Sequence, residues 1–191
     1  MNNKTRNLTL AAVFAALSIA FKLLSMNFND FRLLNFSPIT LLLAGYFLGL
    51  KQGLLIAFLT DTVYAFFLSG NIALLKQADS FWGIILIVAT KFWNLFTVST
   101  MLWGASGAFI RMLGLKRPLV ALIIVAPLTG ITETALNTIQ MLWGHPSPEV
   151  VISGLPLRIF NQLFRVPLII MVTNTLMVQL EQKELKLYLN L

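Results

Sequence analysis

Residues 155–167 read LPLRIFNQLFRVP, an apolar segment that carries two arginines and two carboxamides. The four polar residues are spaced i, i+3, i+4 and i+7, so they share one face of a helix. They are Arg158, Asn161, Gln162 and Arg165. An arginine near the centre of a bilayer costs at least ~2.5–3.5 kcal/mol on insertion scales. The stripe must therefore face protein, water or an anionic ligand instead of lipid.

The composition of the chain places this helix in a membrane. Of the 191 residues, 58% are hydrophobic and 11% are charged, and the mean hydropathy is +0.83. A soluble domain of this composition could not cover its surface with polar groups. Long apolar stretches broken by glycine, proline and short charged clusters favour helical spans over a β-barrel, whose strands alternate in polarity. We expect one all-α integral membrane domain over residues 1–191.

The apolar stretches predict six transmembrane helices. Five of them cover about residues 8–26, 38–50, 54–69, 118–143 and 156–180, with a tight turn at 51–53. Two alternatives remain for the fourth span. Either one long helix covers residues 82–111, or an interfacial or re-entrant segment over 81–90 precedes a span over about 94–112.

The distribution of positive charge predicts the orientation. With a cytoplasmic N-terminus, most lysines and arginines lie inside the cell, and the outer loops hold only Arg32, Lys76 and, in the second alternative, Lys91. The inside set is Lys4, Arg6, Lys51, Arg111, Lys116, Arg117, Lys183 and Lys186. This asymmetry predicts a multi-pass protein of the cell membrane with both termini in the cytoplasm. It also accounts for most of the net charge of +7, so that charge does not indicate nucleic-acid binding.

Polar residues inside the predicted spans are candidates for function. Asp61 lies about eight residues into its span, ~12 Å deep, and serves either a function or a structural pairing with a lysine or arginine. Glu133, Asn137 and Gln140 form a second polar stripe that faces inward. Arg165 is deep enough to need a carboxylate partner, Glu133 or Asp61. Lys22, near the outer end of the first span, can snorkel to the interface.

The sequence carries no signature of catalysis. It has no Walker A run, no H-E-x-x-H, no G-x-S-x-G and no paired histidines, and it contains no cysteine. We therefore expect a binding protein that is not an enzyme and has no cofactor of its own. Cations outnumber carboxylates near the outer face, which favours a small anion, most naturally a carboxylate held by a forked guanidinium. The candidate ligand residues are Arg32, Lys91, Trp93, Asn94, Asn137, Gln140, Arg158, Asn161 and Arg165. For Trp93 the alternative is a place in the aromatic belt of the interface.

Ala12, Ala16 and Ala20 recur at intervals of four in the first span. Small residues at this spacing make a smooth ridge on which another helix can pack closely. That other helix belongs either to the same bundle or to a partner protein.

These features together resemble the substrate-binding S component of energy-coupling factor (ECF) vitamin transporters, over nearly the whole chain. More specific motifs are similar to the folate-type branch. They are Arg32-Leu33 with Pro38 and Gly45 ahead of 53–61, Phe96-Thr97-Val98-Ser99 with Gly104 and Gly107, Leu136-Asn137-Thr138, and Leu155-Pro156-x-Arg158 with Pro167. Residues 71–92 depart from that branch, which carries a shorter Pro- and Gly-rich aromatic stretch there.

The resemblance implies a six-helix protein that binds a vitamin in a pocket near the extracellular side. It also implies that Ala12, Ala16 and Ala20 dock on a transmembrane coupling protein. Two cytoplasmic ATPases, which use ATP and Mg²⁺, would then drive the S component to topple and release its cargo. Pantothenate is the favoured vitamin because its single carboxylate and its hydroxyls suit one arginine with Asn and Gln partners.

Two alternatives remain open. A folate-specific S component is the first. The second is a membrane-embedded scaffold or sensor without a transported ligand, in which the polar stripes serve only helix association. Retention of a ligand on purification distinguishes a scaffold from a vitamin-binding protein.

Overall fold

The computed structural model describes residues 3–24, 35–67, 69–114, 118–144 and 147–182. These residues form helices and short connections, with no strand in the described ranges. The helices are α1 (Asn3–Leu24), α2 (Ser37–Leu48), α3 (Leu50–Phe67), α4 (Ser69–Lys76), α5 (Phe81–Ile87), a π-helical turn (Val88–Phe92), α6 (Leu95–Met112), α7 (Pro118–Gly144), α8 (Pro148–Ser153) and α9 (Leu155–Gln182).

Four stretches of helix are long and apolar enough to cross a membrane. They are Asn7–Leu24 in α1, Leu50–Phe67 in α3, Pro118–Trp143 in α7 and Pro148–Glu181 across α8 and α9. Large apolar side chains stand on their outward faces, as at Ile131 and Met171, which are about two thirds exposed (66% and 67%). Such faces are costly in water and favourable in lipid. The described part of the chain therefore has the expected character of an α-helical membrane protein.

The connection between α2 and α3 differs from the sequence expectation. The turn occurs at Gly49, whose φ of +85° is one that residues with a Cβ rarely adopt. Residues 51–53, expected to form this turn, already belong to the first turn of α3. The left-handed glycine, and not the polar Lys51-Gln52 pair, ends α2.

In the region of the predicted fourth span, a separate helical segment lies ahead of α6, as in the second of the two alternatives. The Asn94 side chain accepts a hydrogen bond from the Phe96 N–H (2.9 Å), and the Asn94 N–H donates to the Thr97 hydroxyl (3.3 Å). This capping box satisfies N–H groups that the first turn of a helix leaves free. A new helix thus begins at Leu95, and a continuous helix over 82–111 is excluded.

The centre of the bundle is α2, where Leu41, Leu42 and Ala44 are fully buried. It packs against α1, α3, α6 and α9, while α7 packs between α6 and α9. Glycines permit the closest approach: a Cβ on Gly104 would lie 2.3 Å from the carbonyl oxygen of Gly53, and one on Gly45 would lie 2.0 Å from that of Gly104. Small residues allow such contact between helices in membranes. Beside this tight crossing of α2, α3 and α6, a cavity lies between α1, α3, α6, α7 and α9.

Candidate ligand-binding site

A cavity of about 330 Å³ lies at one end of the bundle. Side chains of α1, α3, α6, α7 and α9 line it, together with residues of the connections before α2 and α6. Its volume is within the range of small-molecule sites. Five of the predicted ligand residues line this cavity: Asn94, Asn137, Arg158, Asn161 and Arg165.

A buried ion pair between α7 and α9 forms one wall of the cavity. The Arg165 guanidinium donates to Oε2 of Glu133, and both side chains are buried. The same oxygen accepts a hydrogen bond from the indole N–H of Trp103 (3.1 Å), and the guanidinium lies 5.9 Å from the centroid of that ring. Glu133 is thus the partner of the deep arginine.

A second buried ion pair joins α1 to α3. Lys22 donates to Oδ1 of Asp61 and to the hydroxyl of Thr100 (2.9 Å). The Thr97 hydroxyl donates to the other oxygen of Asp61. Lys22 is only 8% exposed, so it points into the bundle and does not snorkel to the interface as expected from the sequence. The carboxylate of Asp61 gives the ammonium a better partner than the membrane surface would.

Arg158 is the remaining cation of the cavity wall. Its guanidinium is half-buried and donates to the hydroxyl of Thr138 (3.2 Å). Among the described residues no carboxylate lies within ion-pair distance of it. Among the described residues, three cations and two carboxylates line the cavity, and two of the cations are paired. The described wall therefore carries one positive charge in excess, located at Arg158.

Carboxamides and hydroxyls complete the polar lining. The Ser99 hydroxyl donates to Oδ1 of Asn137 (2.9 Å), and Nε2 of Gln162 donates to the Thr134 hydroxyl (2.9 Å). These contacts fix the two carboxamides in place without using their full hydrogen-bonding capacity. The cavity thus combines a guanidinium with neutral polar groups, a set suited to a carboxylate that also carries hydroxyl or amide groups.

Two predicted residues lie outside the cavity lining. Oε1 of Gln140 accepts a hydrogen bond from the Leu95 N–H (3.1 Å), so this side chain ties α7 to the start of α6. Trp93 is half-exposed, packs against Phe58 with ring centroids 5.6 Å apart, and donates from its indole to the Thr62 hydroxyl (3.4 Å). Arg32 and the side chain of Lys91 lie outside the described residues.

Several lining residues were not predicted as ligand residues from the sequence: Lys22, Asn35, Tyr64, Phe92, Phe96, Ser99, Thr100, Thr134, Met141 and Gln162. For Lys22 a signal existed. Lys22 lies 11, 7 and 4 residues after Ala11, Ala15 and Ser18, so the four residues share one face of the helix. The two alanines pack against the core, and Ser18 is fully buried. Lys22 thus shares the inward face of α1.

The opposite side of α1 carries the alanine ridge. Ala12, Ala16 and Ala20 are all exposed. No packing within the described bundle uses this ridge.

Comparisons of the chain with protein-family models, curated proteins and solved structures found no match.

Proposed function

We propose that this protein is the vitamin-binding S component of an ECF-type uptake transporter and takes up a small carboxylate from outside the cell. The observation that carries the proposal is Arg158, which among the described residues of a small polar cavity is the one guanidinium without a carboxylate partner. An unbalanced cation at such a place is costly unless an anion or water compensates it. A carboxylate ligand would supply that compensation.

The arrangement of the helices supports an outward-facing cavity. In the proposal α1, α2, α3, α6, α7 and α9 are the six spans, and the N-terminus is cytoplasmic. Lys22 lies near the C-terminal end of α1, and Arg158 lies near the N-terminal end of α9. Both therefore lie at the end of the bundle opposite the N-terminus, which is the extracellular end under the positive-inside rule.

The partners of the proposed transporter are a transmembrane coupling protein and two cytoplasmic ATPases that use ATP and Mg²⁺. The chain itself has no nucleotide-binding motif. The exposed ridge of Ala12, Ala16 and Ala20 supports close packing of α1 on the coupling protein.

Pantothenate is the favoured vitamin. The one uncompensated guanidinium of the described cavity wall matches its one carboxylate, and Asn137 and Gln162 offer partners for its amide and hydroxyl groups. The cavity of about 330 Å³ is at the small end of ligand sites, which favours the smaller of the two vitamins considered. Folate, with two carboxylates, is the alternative.

Mass spectrometry of small molecules released from the purified protein tests the proposal, followed by isothermal titration with pantothenate and with folate. We expect pantothenate to be released and to rebind with a stoichiometry of one. Folate in its place would support the alternative. A protein that releases no small molecule on purification and binds neither vitamin would favour the scaffold or sensor.

A further inference from the structure

Helix α5 is a wholly apolar helix that the described part of the bundle leaves uncovered. Its sequence is FWGIILI, and none of its residues is buried. Phe81, Trp82 and Leu86 are 73%, 75% and 65% exposed. In the described part of the chain its main contacts are with α4 and the π-helical turn, its neighbours in sequence. Exposure of such a surface to water would be unfavourable by ~25 cal/mol per Å².

Several polar groups of this segment are satisfied by hydrogen bonds within it. The Ser80 side chain accepts from the Gly83 N–H (3.1 Å), the Ile84 N–H donates to the Ser80 carbonyl (3.1 Å), and the Trp93 N–H closes the π-helical turn on Val88 (3.1 Å). The exposed hydroxyl of Thr90 donates to the carbonyl of Leu86 (2.7 Å). Internal satisfaction of the backbone is the condition for placing a segment in hydrocarbon. On exposed faces of α7 and α9, the hydroxyls of Thr132 and Thr175 likewise donate to the backbone carbonyl four residues earlier.

The polarity of the segment changes along its length. The turn before α5 is exposed and polar, with Lys76, Gln77, Asp79 and Ser80. Phe81 and Trp82 follow at the boundary, and aliphatic residues come next. Aromatic side chains between a polar turn and an apolar helix are typical of the level of the lipid headgroups.

The apolar surface of α5 continues the outer surface of the bundle. Phe66 of α3 is half-exposed, and its ring centroid lies 4.8 Å from that of Phe92 at the end of the π-helical turn. Phe66 and Phe67 end a helix that is long and apolar enough to span a membrane. Lipid that covers the end of α3 can therefore extend over the π-helical turn and α5.

We propose that α5 is inserted among the phospholipid acyl chains, with Trp82 at the headgroup level and Leu86 deeper. The inserted helix runs without a break into the π-helical turn, whose last residue, Phe92, is buried and lines the cavity. The bilayer thereby holds one wall of the cavity in place. The proposal rests on this surface alone and does not depend on the identity of the ligand.

Spin labelling in phosphatidylcholine vesicles tests the insertion. The native chain has no cysteine, so Leu86→Cys, Trp82→Cys and Asp79→Cys each provide a single labelling site on an exposed residue. We expect the label at 86 to be relaxed by oxygen and protected from a water-soluble nickel chelate. The label at 79 should show the reverse. The label at 82 should show an intermediate ratio of relaxation by oxygen to relaxation by the nickel chelate.

Three results would overturn the proposal. Free access of the nickel chelate to the label at 86 would place α5 in water. Protection of that label from both oxygen and nickel would show that protein, either another part of the chain or a second copy, covers the helix. A label at 82 that lies deeper in the bilayer than the label at 86 would contradict the proposed orientation of α5.

Discussion

At the scale of single residues, Arg158 separates ligand binding from structural support. Its described protein partner is the Thr138 hydroxyl, and it lines the cavity. Arg158→Ala should therefore weaken pantothenate binding by about 1.5–3 kcal/mol, or roughly 10- to 150-fold in Kd, the range for a charge-assisted hydrogen bond. Arg158→Lys should recover only part of this because an ammonium lacks the guanidinium fork. Isothermal titration measures both effects.

Arg111→Ala provides the matched control for that titration. Arg111 is exposed near the other end of α6, where it donates to the carbonyl of Phe47 (3.4 Å). Loss of this cation should leave Kd unchanged. Equal affinity in wild type and Arg158→Ala would remove Arg158 from the site.

Arg165 should behave differently because its charge is already balanced. Arg165→Ala leaves the Glu133 carboxylate buried with only the Trp103 indole as a described partner. Breaking a buried pair in this way typically costs about 3–5 kcal/mol. We expect a clear fall in the midpoint of thermal unfolding in detergent, larger than that of Arg158→Ala.

The double variant Arg165→Met with Glu133→Gln removes both charges and should recover much of the lost stability. If the single and double variants unfold at the same temperature, the stranded carboxylate is not the cause of the loss.

The two ion pairs also show what sequence can predict about single residues. The pairing of Arg165 with a carboxylate followed from its depth, and Glu133 was one of the two candidates. The direction of Lys22 was mispredicted because a lysine near a helix end can point either way. Its direction is decided by Asp61, which lies 39 residues away in sequence. Such a contact depends on the packing of α1 on α3, so a local sequence pattern cannot predict it.

At the scale of helices, apolar length and periodicity predicted the long elements, and the local breaks were harder. The end of α2 depends on the conformation of Gly49, and the start of α6 depends on the Asn94 capping box. Each of these features involves only a few residues, and nearby polar residues indicate a helix boundary at other positions. The short helices α4 and α8 were not predicted because eight and six residues show too little periodicity.

Helix α1 presents two different surfaces, and substitution can separate their roles. Ala16 is exposed on the ridge, whereas Ala15 packs against the core. Ala16→Leu or Ala16→Trp should leave vitamin affinity nearly intact and abolish uptake by cells that contain the coupling protein and ATPases, because the bulk prevents close helix approach. Radiolabelled vitamin uptake and titration of the purified variant give the two readouts.

Ala16→Ser, which stays small, should retain uptake and serves as the control. Full uptake by the Leu and Trp variants would show that the ridge is not a docking surface.

At the scale of the whole molecule, the cavity and the tight helix crossing lie in different parts of the bundle. The glycine contacts bring α2, α3 and α6 close together, while the cavity is lined by residues nearer one end of the bundle, among them residues of α7 and α9. The composition predicted the membrane class, and the two polar stripes predicted two of the helices that line the cavity, α7 and α9. The volume and the lining could not be predicted, since they depend on how closely each pair of helices packs.

Orientation is the property of the whole molecule that can be tested most directly. The proposed topology places residue 51, at the start of α3, in the cytoplasm, and residues 79 and 149, before α5 and in α8, outside. Because the chain has no cysteine, Lys51→Cys, Asp79→Cys and Glu149→Cys each give one thiol, and all three positions are exposed. A membrane-impermeant maleimide applied to intact cells should label positions 79 and 149 and spare position 51, which should react only after the membrane is permeabilised. The physical reason is the excess of Lys and Arg on one side, which insertion retains in the cytoplasm.

Labelling of position 51 in intact cells, with positions 79 and 149 protected, would show that the protein has the opposite orientation. The cavity would then open to the cytoplasm, and uptake of a vitamin from outside would be untenable.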